Sequence, residues 1–160
     1  MKTNLFLALI LIATALTTNT VHAQSSPDEI AIKKVIDASG VAADKRDINA
    51  FTACFVNSPD LYYQIMTGTH EVIVAHGMEN MKKMVGSYFQ SAPVPATPST
   101  HQIADYRMRI NGNMATATMN DTDNKENSRM QVVLEKADGN WKILTLTGTY
   151  YETGKLMEIK

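Results

Sequence analysis

The most constraining feature of the sequence is its C-terminal third, where four segments of alternating apolar and polar residues follow one another with short turns between them. The first segment runs from 101 to 111 and ends at Asn111-Gly112, a pair that favours a two-residue hairpin turn. Its apolar side consists of Ala104, Tyr106, Met108 and Ile110. Polar turns at 122–127 and 137–140 separate the remaining segments, so the sequence predicts four consecutive antiparallel strands.

The residues before these strands follow helical spacing instead. Ser26, Pro27 and Glu29 form the pattern of a helix start, with a capping serine, a proline in the first turn and a capping-box glutamate. The inward positions of this helix are predicted to be Ile32, Val35, Ile36, Ser39 and Ala43, with Lys33, Lys34 and Asp37 on its other side. Asp47 is predicted to cap a second, shorter helix. The inward residues of that helix are Ile48, Phe51 and Phe55.

A hairpin and a third helix complete the predicted elements. Residues 61–66 and 71–76 are strand-like and are joined by a short polar turn. The third helix begins after Gly77, and its apolar stripe is Met78, Met81, Val85, Tyr88 and Phe89. The sequence therefore predicts an α+β fold in which three N-terminal helices pack on a strongly curved antiparallel sheet, leaving a cone-shaped roll with a pocket.

The first 23 residues have the pattern of a secretory signal peptide. Lys2 provides the positive charge, an apolar run follows from 5 to 16, and Val21-His22-Ala23 fits a cleavage site after Ala23. The apolar run is shorter than the roughly 20 residues that a membrane-spanning helix needs. We therefore expect residues 24–160 to form one domain that is secreted or periplasmic, with no membrane attachment after cleavage.

Charge and cysteine content exclude several classes of function. The chain has 15 lysine and arginine residues against 16 aspartate and glutamate residues, so it lacks the basic excess of a nucleic-acid-binding protein. Cys54 is the only cysteine, which excludes a disulfide framework within one chain. The histidines fit no zinc-binding spacing, so the sequence predicts neither a metal nor an organic cofactor.

The order of these elements, together with three segments, resembles the nuclear transport factor 2-like superfamily. The segments are GMENM at 77–81, MQVVLEK at 130–136 and DGNWKI at 138–143. Bacterial branches of this superfamily include SnoaL-like polyketide cyclases, ketosteroid isomerases and scytalone dehydratase. The resemblance covers nearly all of 28–152 and implies the cone fold and a two-fold homodimer. It does not imply one chemistry, because enzymes, binding modules and dimerisation domains share this fold.

Alternation along the strands predicts which residues line the concave side. We expect an apolar cavity with phenolic groups at its rim, lined by Tyr63, Tyr106, Met108, Met119, Met130 and Tyr150. A bulge in any strand would exchange these assignments. The predicted function is an exported binding or interaction module whose apolar pocket holds a small molecule.

The alternative function is a cofactor-independent acid–base enzyme of the isomerase, dehydratase or cyclase type. Such relatives use a pocket carboxylate or histidine as base and a tyrosine or second acid as oxyanion donor. The weak catalytic candidates are Asp121, Tyr63 and His76. Asp121 continues the apolar side of its strand, but it equally fits the role of capping the adjacent turn. Binding is preferred because no acid–base group can be assembled from a motif.

The last strand carries two further predictions. Trp141 follows a tight turn and is expected to be buried against the first helix. Leu144 and Leu146 alternate with the inward residues, so they predict an apolar patch on the outer sheet face and a homodimer through that face. In the alternative, the C-terminal tail covers them within one chain through Leu156, Met157 and Ile159.

Overall fold

The computed structural model describes residues 25–67, 71–92, 94, 102–122 and 127–151. The helices in these ranges are α1 (Pro27–Asp44), α2 (Ile48–Ala53) and α3 (Met78–Ser91). The strands are β1 (Tyr62–Met66), β2 (Val72–His76), β3 (Gln102–Asn111), β4 (Met114–Thr122), β5 (Asn127–Ala137) and β6 (Asn140–Tyr151). The predicted signal peptide and the C-terminal tail lie outside the described residues. The predicted order of helices and strands is confirmed.

The six strands form one mixed sheet in the order β2-β1-β6-β5-β4-β3. Strands β3 to β6 form the expected antiparallel meander. The prediction of a wholly antiparallel sheet is wrong at one place, because β1 pairs with β6 in parallel. The physical reason is that α3 separates the first hairpin from β3, so the hairpin joins the sheet beside the last strand rather than the first strand of the meander.

Local hydrogen bonds explain where the first two helices begin. The Ser26 backbone N–H donates to the Glu29 carboxylate at 2.9 Å, and the Glu29 N–H donates to the Ser26 hydroxyl at 3.2 Å, which confirms the capping box. Asp47 Oδ1 accepts from the backbone N–H groups of Asn49 and Ala50 at 3.1 and 3.0 Å. These bonds satisfy donors that the first turn of a helix leaves without partners.

The side of the sheet that packs against the helices is called here the inner face. Its core includes Ala115, Val132, Leu134 and Ile143 from the sheet and Ile32, Ile36 and Phe51 from the helices. In α1, Ala42 rather than the predicted Ala43 is buried, because the inward stripe drifts by one residue along the helix. In α3, Tyr88 was expected to face inward but is 56% exposed.

Trp141 confirms its predicted position. Its side chain is 3% exposed, and its indole N–H donates to Asp28 Oδ1 on α1 at 2.8 Å. The same carboxylate oxygen lies 2.8 Å from Lys136 Nζ on β5. The start of α1 is therefore fixed to the turn between β5 and β6 by a carboxylate with two donors.

A bulge in β6 corrects the prediction for Leu146. Val133 pairs with Thr145 whereas Leu134 pairs with Ile143, so Leu144 is an extra residue in β6. An extra residue changes which face the following side chains occupy. As a result Leu146 is 5% exposed on the inner face and is not part of an outer patch.

A second irregularity lies in β3, where the pairing with β4 shifts between Ala104 and Arg107. Asp105 within it has a φ of 51°. Ala104 pairs with Asn120, on the face opposite to Tyr106, although the sequence predicted these two residues on one side. The alternation therefore holds from Tyr106 to Ile110 and fails before it. None of the described helices is long and apolar enough to cross a membrane.

Candidate functional site

The register of the sheet places all six predicted pocket residues on the inner face. Met119 pairs with Met130, and Met130 pairs with Gly148. Met108 lies opposite Ala117, which is buried in the core. The remaining three are Tyr63 on β1, Tyr106 on β3 and Tyr150 on β6, and each shares the side of its buried or inward neighbours. The inner face is thus a common surface for the three tyrosines and three methionines.

The methionines fill much of this surface. Met119 is 1% exposed, and Met130 packs closely over Gly148, with its sulfur 2.8 Å from the position that a Cβ there would take. A flexible thioether readily fills an irregular gap in a core. The central row of the inner face is therefore packed, and hydrogen-bonding groups lie on either side of it.

Tyr106 is the most unusual of these groups. Its hydroxyl oxygen is buried, and no described residue is a hydrogen-bond partner for it. Lys33 Nζ on α1 lies 5.1 Å from the centroid of its ring. Burial raises the pKa of Tyr106 above its ordinary value, and the negative charge of Asp37 on α1 raises it further. The phenol therefore stays protonated and is available as a hydrogen-bond donor.

Tyr63 lies in an aromatic cluster on the opposite side of the face. Its ring packs edge-on against Phe51 and Phe55, with centroid distances of 6.3 and 6.2 Å. Burial, followed by the proximity of Tyr150 and Tyr88, raises the pKa of Tyr63 above its ordinary value. This phenol also stays protonated at neutral pH.

A polar row crosses the inner face at the end remote from the β5–β6 turn. Asp121 pairs with Ser128, and Ser128 pairs with Tyr150. Ser128 is 3% exposed, which is unusual for a serine in a sheet. Asp121 therefore continues the inner face, as its position in the sequence predicts, and lies one strand away from β3, which carries Tyr106.

The three catalytic candidates are not brought together. His76 pairs with Tyr62 on the outer side of the hairpin, and their rings lie 5.2 Å apart. Tyr63 lies in the row of Leu146, Val132 and Ala117, three strands from β4 and four residues along the chain from Asp121. The register thus separates Tyr63 from Asp121 and places His76 on the other face.

Sequence reasoning missed the contribution of α1 to this site. Lys33 and Asp37 were assigned to the side of α1 that faces away from the core, yet both lie next to Tyr106. Burial raises the pKa of Asp37, and the nearby charge of Lys33 opposes this shift. Their spacing of four residues places them on one helix face, which is the signal that could have paired them.

Other surface features lie away from this face. A groove of about 670 Å³ runs between α2, the start of α3 and the β5–β6 turn, and its polar residues include Asn49, Glu79 and Lys142. None of the six predicted pocket residues lines it. Among the described residues, no cluster of three or more histidine, cysteine, aspartate or glutamate side chains could hold a metal ion.

Comparison with known structures identifies the fold. A nuclear transport factor 2-like protein of unknown function from Pseudomonas putida aligns with a TM-score of 0.65 and 15% identity, over 78% of this chain and 87% of the other. A cystatin-like protein of unknown function from Nostoc punctiforme gives 0.63 and 16%, over 79% and 92%. A candidate dehydratase of the nuclear transport factor 2-like family from Streptomyces avermitilis gives 0.60 and 11%, over 78% and 97%.

Sequence comparison identifies the family. No curated protein matches the chain significantly. The family described as the SnoaL-like domain matches residues 24–147, which is most of the chain and includes all three helices and most of the sheet. The chain therefore belongs to the SnoaL-like domain family, within the nuclear transport factor 2-like superfamily.

Proposed function

We propose that this protein is an exported binding module that holds a small, mostly apolar organic molecule against the inner face of its sheet. The observation that carries the proposal is the Tyr106 hydroxyl, which is buried and has no hydrogen-bond partner among the described residues. Leaving a buried polar group unpaired costs about 1–3 kcal/mol. A ligand with a carbonyl or hydroxyl oxygen at this position would remove that cost.

The surroundings of Tyr106 support this class of ligand. Met108 and Ile110 from the same strand are half-buried and pack against the core, so the site is apolar apart from the phenol and the two charged groups of α1. The raised pKa of Tyr106 keeps the phenol a donor. A site with one directed donor in an apolar wall is typical of small-molecule recognition.

The shape of the sheet belongs to the same proposal. We infer that three helices lie within a strongly curved, cone-shaped sheet, as the family resemblance implies. The two irregularities in β3 and β6 support this, because bulged strands bend and twist more than regular ones. Curvature of this kind would bring Tyr63 and Tyr106, which lie on well-separated strands, toward a common space.

One observation favours a second function, acid–base catalysis without a cofactor. Asp37, whose pKa is raised, lies near the Tyr106 phenol, and a raised carboxyl beside a protonated tyrosine provides a base and an oxyanion donor. This pair differs from the catalytic residues expected from the sequence, of which Asp121 alone shares the same part of the inner face. The similar Streptomyces protein is described as a candidate dehydratase, which is consistent with this second function.

Native mass spectrometry of protein purified from its own host tests the binding proposal. We expect a retained small molecule on the unmodified protein and its loss in Tyr106→Phe, which deletes only the hydroxyl. Tyr62→Phe is the matched control, because the Tyr62 hydroxyl donates to Gln64 on the outer face. Equal retention by Tyr106→Phe, or a protein that is always free of ligand, would contradict the proposal.

The same ligand experiment separates binding from catalysis. Incubation of the protein with the molecule that it retains is expected to return that molecule unchanged. Conversion to an isomer or a dehydrated product that stops in Asp37→Asn would establish the enzyme instead. Asp44→Asn is a control near the end of the same helix.

Export is the second part of the proposal, and it depends on the pattern of the first 23 residues. Mass measurement of the protein recovered from its host is expected to show a chain that begins at Gln24. A chain that retains Met1 and fractionates with the cytoplasm would contradict export.

A homodimer through the outer sheet face is the third part. The bulge at Leu144 removes Leu146 from that face, so the proposal now depends on Val133, which is half-buried between Thr116 and Thr145. Light scattering across micromolar concentrations is expected to give a dimer mass that Val133→Lys converts to a monomer. Val74→Lys, on the exposed edge strand β2, is the control and should leave the dimer intact. A monomer throughout would contradict this part.

A further inference from the structure

Arg46 occupies a strained position at the junction of α1 and α2. Its φ is 55°, in the left-handed region that glycine adopts freely and that costs energy for residues with a Cβ. The chain must turn here, because Asp47 caps α2 immediately afterwards. The turn by itself would favour glycine, so the reason for an arginine lies in the surroundings of its side chain.

The guanidinium group of Arg46 lies against two aromatic rings of α3. Its central carbon is 5.1 Å from the centroid of Tyr88 and 5.6 Å from that of Phe89. Nη1 donates to the Ala43 carbonyl at 2.9 Å. Nε is buried, and no described residue accepts a hydrogen bond from it. The group is thus held in place with one donor unused.

No described carboxylate neutralises this arginine, since the ion pair within the described residues joins Asp28 to Lys136. Stacking on aromatic rings stabilises a guanidinium and fixes its plane, but it leaves the in-plane N–H groups free to donate. Nε and Nη2 form a fork that matches the two oxygens of a carboxylate. The fixed plane, the unused Nε and the missing counter-ion are the features of an anion site.

An aromatic path connects Arg46 to the inner face. Phe89 lies 5.7 Å from Phe51, and Phe51 lies 6.3 Å from Tyr63, measured between ring centroids. Tyr88, which covers the guanidinium on one side, is 56% exposed, so solutes reach the cluster at this ring. A molecule with an apolar body would lie along these rings with its charged end at Arg46.

We propose that Arg46 binds the carboxylate of the ligand, so that the protein selects aromatic or alicyclic carboxylic acids over neutral molecules of the same shape. This inference rests on the proposed binding function and adds the class of ligand to it. The carboxylate would accept two hydrogen bonds from the Arg46 fork, while the apolar body contacts Phe89, Phe51 and Tyr63.

The Nε–H signal of Arg46 in ¹⁵N-labelled protein provides a direct test, because this proton is the donor in question. We expect benzoate to shift the signal saturably, whereas benzyl alcohol, a neutral molecule of similar shape, leaves it unchanged. A benzoate response that does not saturate, or an equal response to benzyl alcohol, would overturn the proposal.

Two variants separate binding from structural support. Arg46→Lys keeps the positive charge but lacks the fork, and we expect benzoate affinity to fall by about tenfold or more. Arg46→Gly removes the side chain at a position where glycine is unstrained, so the fold should persist while benzoate binding is lost. Unchanged affinity in either variant would overturn the proposal.

The two proposals fail in different ways. If Arg46 responds to benzoate but native mass spectrometry finds no ligand that depends on Tyr106, the proposed function is wrong and the anion site stands. If the retained ligand depends on Tyr106 but carries no acidic group, the inference about Arg46 is wrong and the binding function stands.

Discussion

The two ends of the inner face differ in how their polar groups are paired. At the end near the β5–β6 turn, Asp28 accepts from Trp141 and Lys136 at 2.8 Å each, and Trp141 is almost completely buried. Toward the other end, the Tyr106 hydroxyl is buried without a described partner, although Lys33 lies over its ring. The first end uses its hydrogen bonds to fix α1 to the sheet, whereas the second keeps a donor in reserve.

This difference teaches where a function is to be sought in a fold that serves many functions. Buried polar groups are nearly always paired when their role is structural. An unpaired donor in an apolar wall therefore marks the end of the sheet at which the fold is incomplete on its own. The tyrosine end is consequently the candidate site, and the tryptophan end supports it.

The largest effect is expected at the paired end. Trp141→Ala removes a buried aromatic side chain and should lower the free energy of unfolding by about 3–5 kcal/mol in urea titration. Trp141→Phe retains most of the packing and loses only the N–H donor to Asp28, so its cost should be about 1 kcal/mol. A loss below about 1 kcal/mol in Trp141→Ala would show that this end is not a structural anchor.

An intermediate effect is expected in the row between the two ends. A Cβ at Gly148 would lie 2.8 Å from Ile65 Cδ1 and from Met130 Sδ. Gly148→Ala should therefore cost about 1–3 kcal/mol, because both side chains must move within a packed core. Gly40→Ala is the control, since nothing lies within 4 Å of the position that its Cβ would take. Equal stability of the two variants would mean that the methionine row is loosely packed.

A smaller, pH-dependent effect is expected from Asp28. Hydrogen bonds from Lys136 and Trp141 hold the pKa of Asp28 below its ordinary value. Its stabilising contribution is therefore complete above the unfolded-state pKa of about 4 and is lost as the pH falls through the lower folded-state value. Urea titrations at neutral and acidic pH should show a weaker acid destabilisation in Asp28→Asn than in the unmodified protein. Identical pH profiles would exclude a paired carboxylate at this end.

Much of the fold could be predicted because local chemistry determines it. The Ser26 capping box, the Asp47 cap and the turn at Asn111-Gly112 each depend on residues that are close together in the sequence. The position of Trp141 followed from its alternation with Ile143 behind a tight turn. These features required no knowledge of which elements meet across the molecule.

The remaining features depend on contacts between distant residues. The parallel pairing of β1 with β6 and the bulge at Leu144 are not visible in alternation, which cannot tell an extra residue from a regular one. Lys33 was assigned to the outer side of α1, because periodicity defines a helix face but not the strand that it approaches. The tyrosines of the site were found from alternation, and their helix partners were missed.

The stability of Tyr106→Phe relative to Tyr62→Phe, in protein freed of ligand, tests most directly whether the tyrosine end holds an unused donor. Removing an unpaired buried hydroxyl should raise the free energy of unfolding by about 1 kcal/mol, whereas removing the hydroxyl that Tyr62 donates to Gln64 should lower it by a similar amount. Opposite signs for the two variants are the result that this account predicts. A loss of about 1 kcal/mol or more in Tyr106→Phe would show that its hydroxyl is already paired by the protein, and would contradict the account.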